Sequence, residues 1–309
     1  MNESTQAEQY GHLVKRAGQA AIIAASLLIM VKLIAWIMTG SSSILAALTD
    51  SLVDVCASII NLFAIKVAIQ PADKEHRFGH GKAESLAGLA QAAFISGSAV
   101  FLMFNGISAL INGNTITASN VGIGVMLFSV LITILLVLFQ AYVVKKTNSV
   151  AIKADSLHYR TDIVMNAAVL FAIMLAGYGW GWADGAFAIA ISLYILHGAW
   201  EIGKQSVDAL MDKKLPKEDE DLVLKLAYDI DGVHGVHGLR TRSSGYVKFI
   251  QLHLELDDDQ TLLAAHDKAD ELEFALLKAF PESDILIHLD PISVVPEENR
   301  NNKINLETT

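Results

Sequence analysis

Residues 44–61 read ILAALTDSLVDVCASIIN and place two carboxylates inside an apolar helical run. Asp50 and Asp54 stand four residues apart, so they share one helix face and lie about one turn apart. An ionisable group inside a membrane-spanning helix costs roughly 2.5–3.5 kcal/mol. The stretch therefore predicts a membrane helix whose acidic side chains need a compensating partner, and a divalent cation is the simplest one.

A second stretch repeats the pattern, because residues 155–166 read DSLHYRTDIVMN and place His158 and Asp162 four residues apart. Together the two stretches offer four nitrogen and oxygen ligands, which suits a tetrahedral ion such as Zn²⁺. The imidazole favours Zn²⁺, Cd²⁺, Fe²⁺ or Co²⁺ over ions that prefer oxygen alone. The alternative is a set of interhelical salt bridges or hydrogen bonds. The nearest cationic residue, Arg160, lies on a different helix face from His158. We expect Asp155 to cap the N-terminus of this helix.

The composition indicates a membrane protein. Of the 309 residues, 53% are hydrophobic, and the mean hydropathy of +0.42 is too high for an ordinary soluble domain. The net charge of −10 arises mostly in the last third and argues against a nucleic-acid partner. The single cysteine, Cys56, excludes a disulfide framework or a thiolate metal cage, and we expect it to be a small buried hydrophobe.

Six apolar runs are long enough to cross a bilayer, which takes about 20 residues. They lie near 15–39, 44–68, 84–111, 119–144, 150–176 and 184–205. Lysines and arginines precede the first run, follow the last, and occupy the second and fourth connections, whereas the other connections contain none. By the positive-inside rule, this distribution predicts that both termini are cytoplasmic.

The sequence changes character after Pro216. Residues 217–231 predict a helix, 236–242 and 248–256 two strands, 261–280 a helix and 284–294 a last strand. This order predicts a small α+β domain in which helices cover one face of a three-stranded sheet. We therefore expect a six-helix membrane domain at 1–209, a cytoplasmic domain at 210–296 and a disordered tail at 297–309.

Two further groups of residues carry metal-ligand chemistry. In the second connection, one carboxylate and two imidazoles lie within eight residues, as Asp73, His76 and His80. A solvated loop without metal is the alternative there. In the C-terminal domain five ligands exceed what one tetrahedral ion needs, so two ions sharing a bridging group are expected. These five are His237, His253, His266, His288 and Asp290.

The combined motifs resemble the cation diffusion facilitator family, in particular its bacterial zinc and ferrous-iron efflux type. The motifs are Asp50-x3-Asp54, Pro71-Ala-Asp-x2-His76-x2-Gly-His80-Gly-Lys-Ala-Glu84, His158-x3-Asp162, Leu239-Arg-Thr-Arg242 and His288-Leu-Asp-Pro291. The resemblance implies a homodimer of six-helix protomers with metallochaperone-like cytoplasmic domains in the bacterial inner membrane.

The resemblance also implies roles for particular residues. Asp50, Asp54, His158 and Asp162 would form the transport site, and Asp73, His76 and His80 a loop site. His237, His253, His288 and Asp290 would form a binuclear cytoplasmic site bridged by His266. Lys82 and Asp212 would form a salt bridge that helps hold the dimer.

From these residues we expect a proton-coupled antiporter that works by alternating access. It would export Zn²⁺, with Cd²⁺ and Fe²⁺ as further substrates. Transport would be coupled to protons because metal ligands must lose their protons when an ion binds. Zinc would also serve a structural or regulatory role, and the lipid bilayer, metal ions and protons would be the partners. An intramembrane metalloenzyme is a rival, but a catalytic zinc keeps an open position and four ligands fill this one. A membrane-anchored metal sensor is the second rival, and it does not account for carboxylates inside the membrane.

Overall fold

The computed structural model describes residues 4–39, 42–112, 120–176 and 183–295. These residues form two compact units, one of which is Tyr10–Val207. The other contains the chain from Asp208 onward together with the residues up to Gln9. The tail expected at 297–309 lies outside the described residues, and the domain boundary at 209 stays a prediction.

The first unit is made of six long helices that agree closely with the six apolar runs. They are α1 Ser4–Thr39, α2 Ser42–Ala68, α3 Lys82–Asn112, α4 Asn120–Thr147, α5 Val150–Ala176 and α6 Ala183–Leu210. Within the described residues, four segments are long and apolar enough to cross a membrane, namely Gln9–Thr39, Lys82–Ile111, Ile123–Thr147 and Gly185–Leu210. The membrane-helical class is thus confirmed, and the count of six spans stays a prediction. The remaining helices, α2 and α5, carry the charged motifs.

Buried apolar side chains and side-chain hydrogen bonds hold the helices together. Val14 and Ala17 of α1 are buried in one cluster with Ile65 of α2, Val143 of α4 and Ile152 of α5. A lysine within α1 also has polar partners across the helix pair, because Lys32 Nζ donates to the carbonyl of Ala47 at 3.1 Å and to Ser51 Oγ at 2.6 Å. These contacts tie the middle of α1 to α2.

The starts of α1, α3 and α5 meet at one buried carboxylate. Glu84, in the first turn of α3, accepts a hydrogen bond from Tyr10 Oη at 2.5 Å. Its other oxygen accepts from the backbone N–H of Ala151 at 3.3 Å, in the first turn of α5. A carboxylate is favoured at both helix N-termini because the unpaired N–H groups there carry partial positive charge. The three helices therefore begin on the same side of the bundle.

The second unit has the predicted α-β-β-α-β order. It comprises α7 Lys217–Tyr228, β1 Gly235–Ser244, β2 Val247–Leu256, α8 Leu262–Ala279 and β3 Ser283–Pro291, followed by a 3-10 turn at Ile292–Val294. The last strand therefore ends three residues earlier than the 284–294 prediction. The sheet order is β1-β2-β3, with β1 antiparallel and β3 parallel to β2.

The sheet buries one face and displays the other. Ile250, Leu252 and Leu254 alternate along β2 and are buried in one cluster with Leu272 and Leu276 of α8. This alternation follows from the two-residue period of a strand, which sends the intervening polar residues to the opposite face. The opposite face is the one that carries the histidines.

Two local predictions were wrong. Asp155 does not cap α5, because the helix already begins at Val150 and Asp155 lies inside it. Cys56 is exposed on the surface of the described unit, not buried. Both predictions depended on where a residue lies within its helix or on which face it presents, and neither is set by composition.

Candidate metal-binding sites

The first candidate site lies between α2 and α5. Asp54, His158 and Asp162 each offer a ligand atom, and these atoms all lie within 4.8 Å of one another. Asp54 Oδ1 is 2.8 Å from His158 Nε2, and their side chains are 18% and 11% exposed. Asp50 lies one turn before Asp54 on α2, and its side chain lies outside the described part of the structure. The structure thus brings three of the four predicted residues together.

Neutral hydrogen bonds hold α2 against α5 beside this site. Ser58 Oγ lies 2.9 Å from Tyr159 Oη. One turn further along α2, Asn61 Nδ2 donates to the carbonyl of Ala151 at 3.4 Å. The two contacts advance along α2 while they move back along α5, so the helices run antiparallel. The partners of α2 are therefore polar and uncharged at the positions that follow Asp54.

The charges at this site favour a cation as the compensating group. Within the described residues, neither Asp54 nor His158 pairs with a lysine or an arginine. For these two residues, the interhelical salt bridge that the structure describes is the Asp54–His158 contact itself. A divalent ion with nitrogen and oxygen ligands suits this donor set.

A buried carboxylate that sequence reasoning assigned to a helix cap lies near the site. Asp155 is fully buried on α5, one turn before His158. Its Oδ2 accepts a hydrogen bond from Nε2 of Gln140, on α4, at 2.6 Å. The available sequence signal was its spacing, because 155, 158 and 162 fall on one helix face.

The loop candidate brings its three predicted residues together. His76 Nδ1 and His80 Nε2 each lie 3.5 Å from a different oxygen of Asp73. The two imidazole rings have centroids 4.5 Å apart. The backbone N–H of His76, and also that of Glu75, donates to Asp73 Oδ1 and holds the pKa of this carboxyl below its usual range. At any pH at which an imidazole is neutral and can bind a metal ion, the Asp73 carboxylate is therefore ionised.

The candidate site of the second unit lies on the exposed sheet face. The strand register places His237 opposite His253, and His253 opposite His288. Asp290 lies among them: its Oδ2 is 2.8 Å from His253 Nδ1 and 3.3 Å from His237 Nε2, and its Oδ1 is 3.1 Å from His288 Nε2. One oxygen of this carboxylate therefore contacts His253 and His237, and the other contacts His288.

The fifth predicted ligand is elsewhere. His266 lies on α8, where its Nδ1 is 3.6 Å from Asp270 Oδ1 in an exposed i, i+4 pair. Asp212, predicted to pair with Lys82, has Arg242 Nη1 at 3.4 Å from its Oδ1. The bridging role of His266 and the Lys82–Asp212 pair both stay predictions.

Sequence reasoning missed Glu255, which contacts the ring nitrogen of His237 that faces away from Asp290. Its Oε1 lies 3.0 Å from His237 Nδ1, and the residue is 6% exposed. When Nδ1 donates to this carboxylate, Nε2 is left with a lone pair that faces Asp290, an arrangement common behind metal-binding histidines. A Cβ at Gly235 would come within 2.3 Å of Glu255 Oε2, so a larger residue there would displace this carboxylate. The signal in the sequence was the i, i+2 spacing of His253 and Glu255 on one strand face.

Comparisons with known proteins match both units. The family model described as "Cation efflux transmembrane domain" matches residues 19–211. The model ZT_dimer, described as "Cation efflux protein, cytoplasmic domain", matches residues 215–292. The cation-efflux pump FieF of Citrobacter koseri is 51% identical over 293 residues, covering 95% of this chain and 98% of the relative. FieF of Salmonella agona is 50% identical with the same coverage.

Solved structures resemble a smaller part of the chain. The metal-bound C-terminal domain of the CzcD transporter from Thermotoga maritima is 23% identical, with a TM-score of 0.25. That match covers 26% of this chain and all of the other.

Proposed function

This chain belongs to the cation-efflux family of multi-pass membrane transporters, and we propose that it exports divalent transition-metal ions in exchange for protons. The family resemblance inferred from the sequence motifs is therefore confirmed. The relatives are named cation-efflux pumps, so the chain is a transporter and not an enzyme. Zn²⁺ is the proposed principal substrate, with Cd²⁺ and Fe²⁺ as further substrates, because a mixed imidazole and carboxylate shell favours such ions.

The observation that carries this proposal is the group formed by Asp54, His158 and Asp162 between two antiparallel helices of an apolar bundle. We propose that Asp50 completes the shell as the fourth ligand. His158 Nε2 and Asp54 Oδ1 lie at hydrogen-bond distance, so a proton can occupy the place where an ion would bind. Protons and metal ions therefore compete for the same ligand atoms.

The proposed cycle uses this competition. At cytoplasmic pH the inward-facing site loses its protons and binds an ion. The helices then rock to the outward-facing state, where protons displace the ion, as alternating access requires. We propose that the protein works as a homodimer in the bacterial inner membrane, with both termini cytoplasmic. The membrane domain would comprise 1–209 and the cytoplasmic domain 210–296.

Zinc has a second proposed role in the cytoplasmic domain and loop. The three imidazoles around Asp290 and the pair around Asp73 supply nitrogen and oxygen donors that fit Zn²⁺. Ions bound there would stabilise the domain and the dimer, with His266 as a proposed bridge. They would also bias the transport equilibrium when metal is plentiful, which is a coupling between distinct sites.

The test is metal flux into sealed vesicles that contain the purified protein, an imposed proton gradient and a trapped metal-sensitive dye. Asp54→Ala is expected to abolish gradient-driven Zn²⁺ flux, because it removes a ligand and the partner of His158. Glu201→Ala is the matched control, since this carboxylate of α6 is 61% exposed and lies 3.8 Å from His197 on its own helix. The control should transport like the wild type.

Two results would contradict the proposal. Flux that persists in Asp54→Ala would show that the central site is assigned wrongly. Tight binding of Zn²⁺, Cd²⁺, Fe²⁺ and Mn²⁺ without flux of any of them would instead favour a metal sensor.

A further inference from the structure

The most unusual group in the membrane unit outside the candidate ligands is the pair formed by Asp155 and Gln140. Both residues are fully buried, and Gln140 Nε2 donates to Asp155 Oδ2 at 2.6 Å. The remaining oxygen of each side chain, Asp155 Oδ1 and Gln140 Oε1, has no hydrogen-bond partner among the described residues. A buried oxygen without a donor costs about 1–3 kcal/mol, and more when it is charged. Within the described residues, the pair therefore has two buried acceptor oxygens to which no group donates a hydrogen bond.

The surroundings of Asp155 offer no cation that is dedicated to it. On α5 itself the titratable neighbours are His158, whose Nε2 faces Asp54, and Tyr159, whose hydroxyl pairs with Ser58 of α2. From α3, Glu84 approaches the start of α5 but is paired with Tyr10 and Ala151. Among the described side chains of α2, the nearest charged group is Asp54, which pairs with His158. Apolar residues of α1, α4 and α6 that cluster with the neighbouring Ala154 and Tyr159 include Ala21, Ala24, Leu136, Val137 and Ile202. Within the described residues no lysine or arginine pairs with Asp155.

A neutral carboxylic acid satisfies this arrangement. A proton turns the unpaired Asp155 Oδ1 into a donor, for which the unpaired Gln140 Oε1 is an available acceptor, while the amide N–H still donates to the other acid oxygen. An ionised carboxylate at the same place keeps one unpaired oxygen and an uncompensated charge, which is expensive in an apolar interior. The geometry therefore favours a proton on Asp155 when the nearby site holds no ion.

Metal binding changes this balance. Asp155 lies three residues before His158, and side chains three apart on a helix are neighbours on one face, about 5–6 Å between Cβ atoms. When a divalent ion displaces fewer than two protons from His158 and the ligand carboxylates, it adds net positive charge beside Asp155, and this charge favours the ionised form of Asp155. Binding of the ion and release of the proton are therefore linked, although Asp155 need not touch the ion.

We propose that Asp155 is a proton-binding site of this transporter, separate from the metal ligands, which releases its proton when the transport site binds an ion and regains it when the ion leaves. This inference rests on the proposed antiport function and adds a specific proton carrier to it. Gln140 acts as a positioning residue, because its amide pairs with either form of the acid.

The direct test is infrared difference spectroscopy of the full-length protein in lipid, recorded as Zn²⁺ is added. A protonated carboxylic acid has a carbonyl band that an ionised carboxylate lacks. In the wild type we expect Zn²⁺ to remove such a band, and in Asp155→Asn we expect this component of the difference spectrum to be absent while Zn²⁺ still binds. Asparagine imitates the neutral acid and can pair with Gln140, so the variant should fold. Ser156→Ala, at the neighbouring buried residue, is the control and should keep the band.

A second measurement counts the protons released per bound Zn²⁺ with a pH-sensitive dye. Asp155→Asn should release fewer protons per ion than the wild type, and Ser156→Ala the same number. Gln140→Leu leaves the acid in place but removes its partner, so it should shift the frequency of the band without abolishing it.

The inference is overturned if Asp155→Asn retains the wild-type band and proton count, or if Gln140→Leu leaves the band frequency unchanged. Failure of the proposed antiport would look different. In that case the wild type itself would exchange no protons for metal in vesicles, whatever the infrared band shows at position 155.

Discussion

At the scale of single residues, backbone N–H groups hold the carboxylate of Asp73, a residue of the proposed loop site, in its ionised form. The N–H of His76 at 2.6 Å and that of Glu75 at 2.8 Å both donate to Asp73 Oδ1, and they favour its ionised form. The pKa of Asp73 is therefore lowered from its ordinary 3.8. Because the folded-state pKa is depressed, these hydrogen bonds contribute stability that is present above the unfolded-state pKa and is lost as the pH falls through the folded-state pKa. At neutral pH the Asp73 carboxylate is ionised, and the full contribution of these hydrogen bonds is present.

Removing the acceptor at this residue should loosen the turn. In Asp73→Ala we expect faster hydrogen exchange at the amides of Glu75 and His76 at neutral pH, measured by mass spectrometry on the full-length protein. Asp73→Asn keeps an acceptor oxygen without the charge, so its exchange should be intermediate. Lys74→Gln, at the intervening exposed position, is the control. Wild-type exchange rates in Asp73→Ala would show that the turn is held by other contacts.

At the scale of elements, strand register positions the histidines of the second unit, and a close helix crossing contributes to the packing of the first. In the second unit, the register of β1, β2 and β3 places three histidines side by side across the sheet. In the first unit, α3 and α6 meet where Gly106 faces Gly185. A Cβ added at Gly185 would lie 2.7 Å from the carbonyl oxygen of Gly106, so these backbones approach as closely as glycine allows.

A methyl group at this crossing should force the helices apart. Gly185→Ala is expected to destabilise the protein by about 1–3 kcal/mol, the usual cost of overpacking. The measurement is the free energy of unfolding in mixed detergent micelles. Gly97→Ala, on α3, is the matched control, because a Cβ there meets nothing within 4 Å. Its expected effect is neutral or a gain of up to about 1 kcal/mol, since alanine favours helix. Equal stability of the two variants would contradict the close packing of α3 on α6.

At the scale of the whole molecule, ligand chemistry occurs in both units, and the candidate sites differ in accessibility. The membrane site is mostly enclosed between α2 and α5. The C-terminal site combines the enclosed His237 and Asp290 with His253 and His288, whose side chains are 41% and 63% exposed. A mostly enclosed site that exchanges its cargo requires the surrounding helices to move. An exposed site can equilibrate with free metal and report its level. This difference is the physical basis for assigning transport to one site and regulation to the other.

Metal removal should therefore act separately on the two units. At a free Zn²⁺ concentration of 100 times the dissociation constant, a site in the folded state adds about 2.7 kcal/mol of stability. In both the wild type and Asp54→Ala, we expect a chelator to abolish this increment. The unfolding temperature of the C-terminal unit should then fall by a similar amount in the two proteins. In His253→Ala the chelator should have little effect on that unit. The measurement is thermal unfolding of the full-length protein, monitored by protease cleavage at sites after residue 215. An unchanged chelator effect in His253→Ala would contradict the proposed C-terminal site.

The amino-acid sequence by itself determined the six helical runs, the α-β-β-α-β order and the residue types of the candidate metal sites. These features follow from local periodicity, because the repeat of a helix or a strand decides which side chains share a face. The pairs Asp50–Asp54, His158–Asp162 and His288–Asp290 could be recognised for that reason.

Only the tertiary structure decided which distant residues meet and which face of each helix is covered. Asp155 lies against Gln140 of another helix, Glu255 supports His237 of the neighbouring strand, and Cys56 is exposed on α2. Burial and partnership of this kind depend on contacts between segments far apart in the chain, whose energies no local pattern encodes. A carboxylate in an apolar run could therefore be predicted from the sequence to be functional, but its partner could be identified only from the contacts between helices.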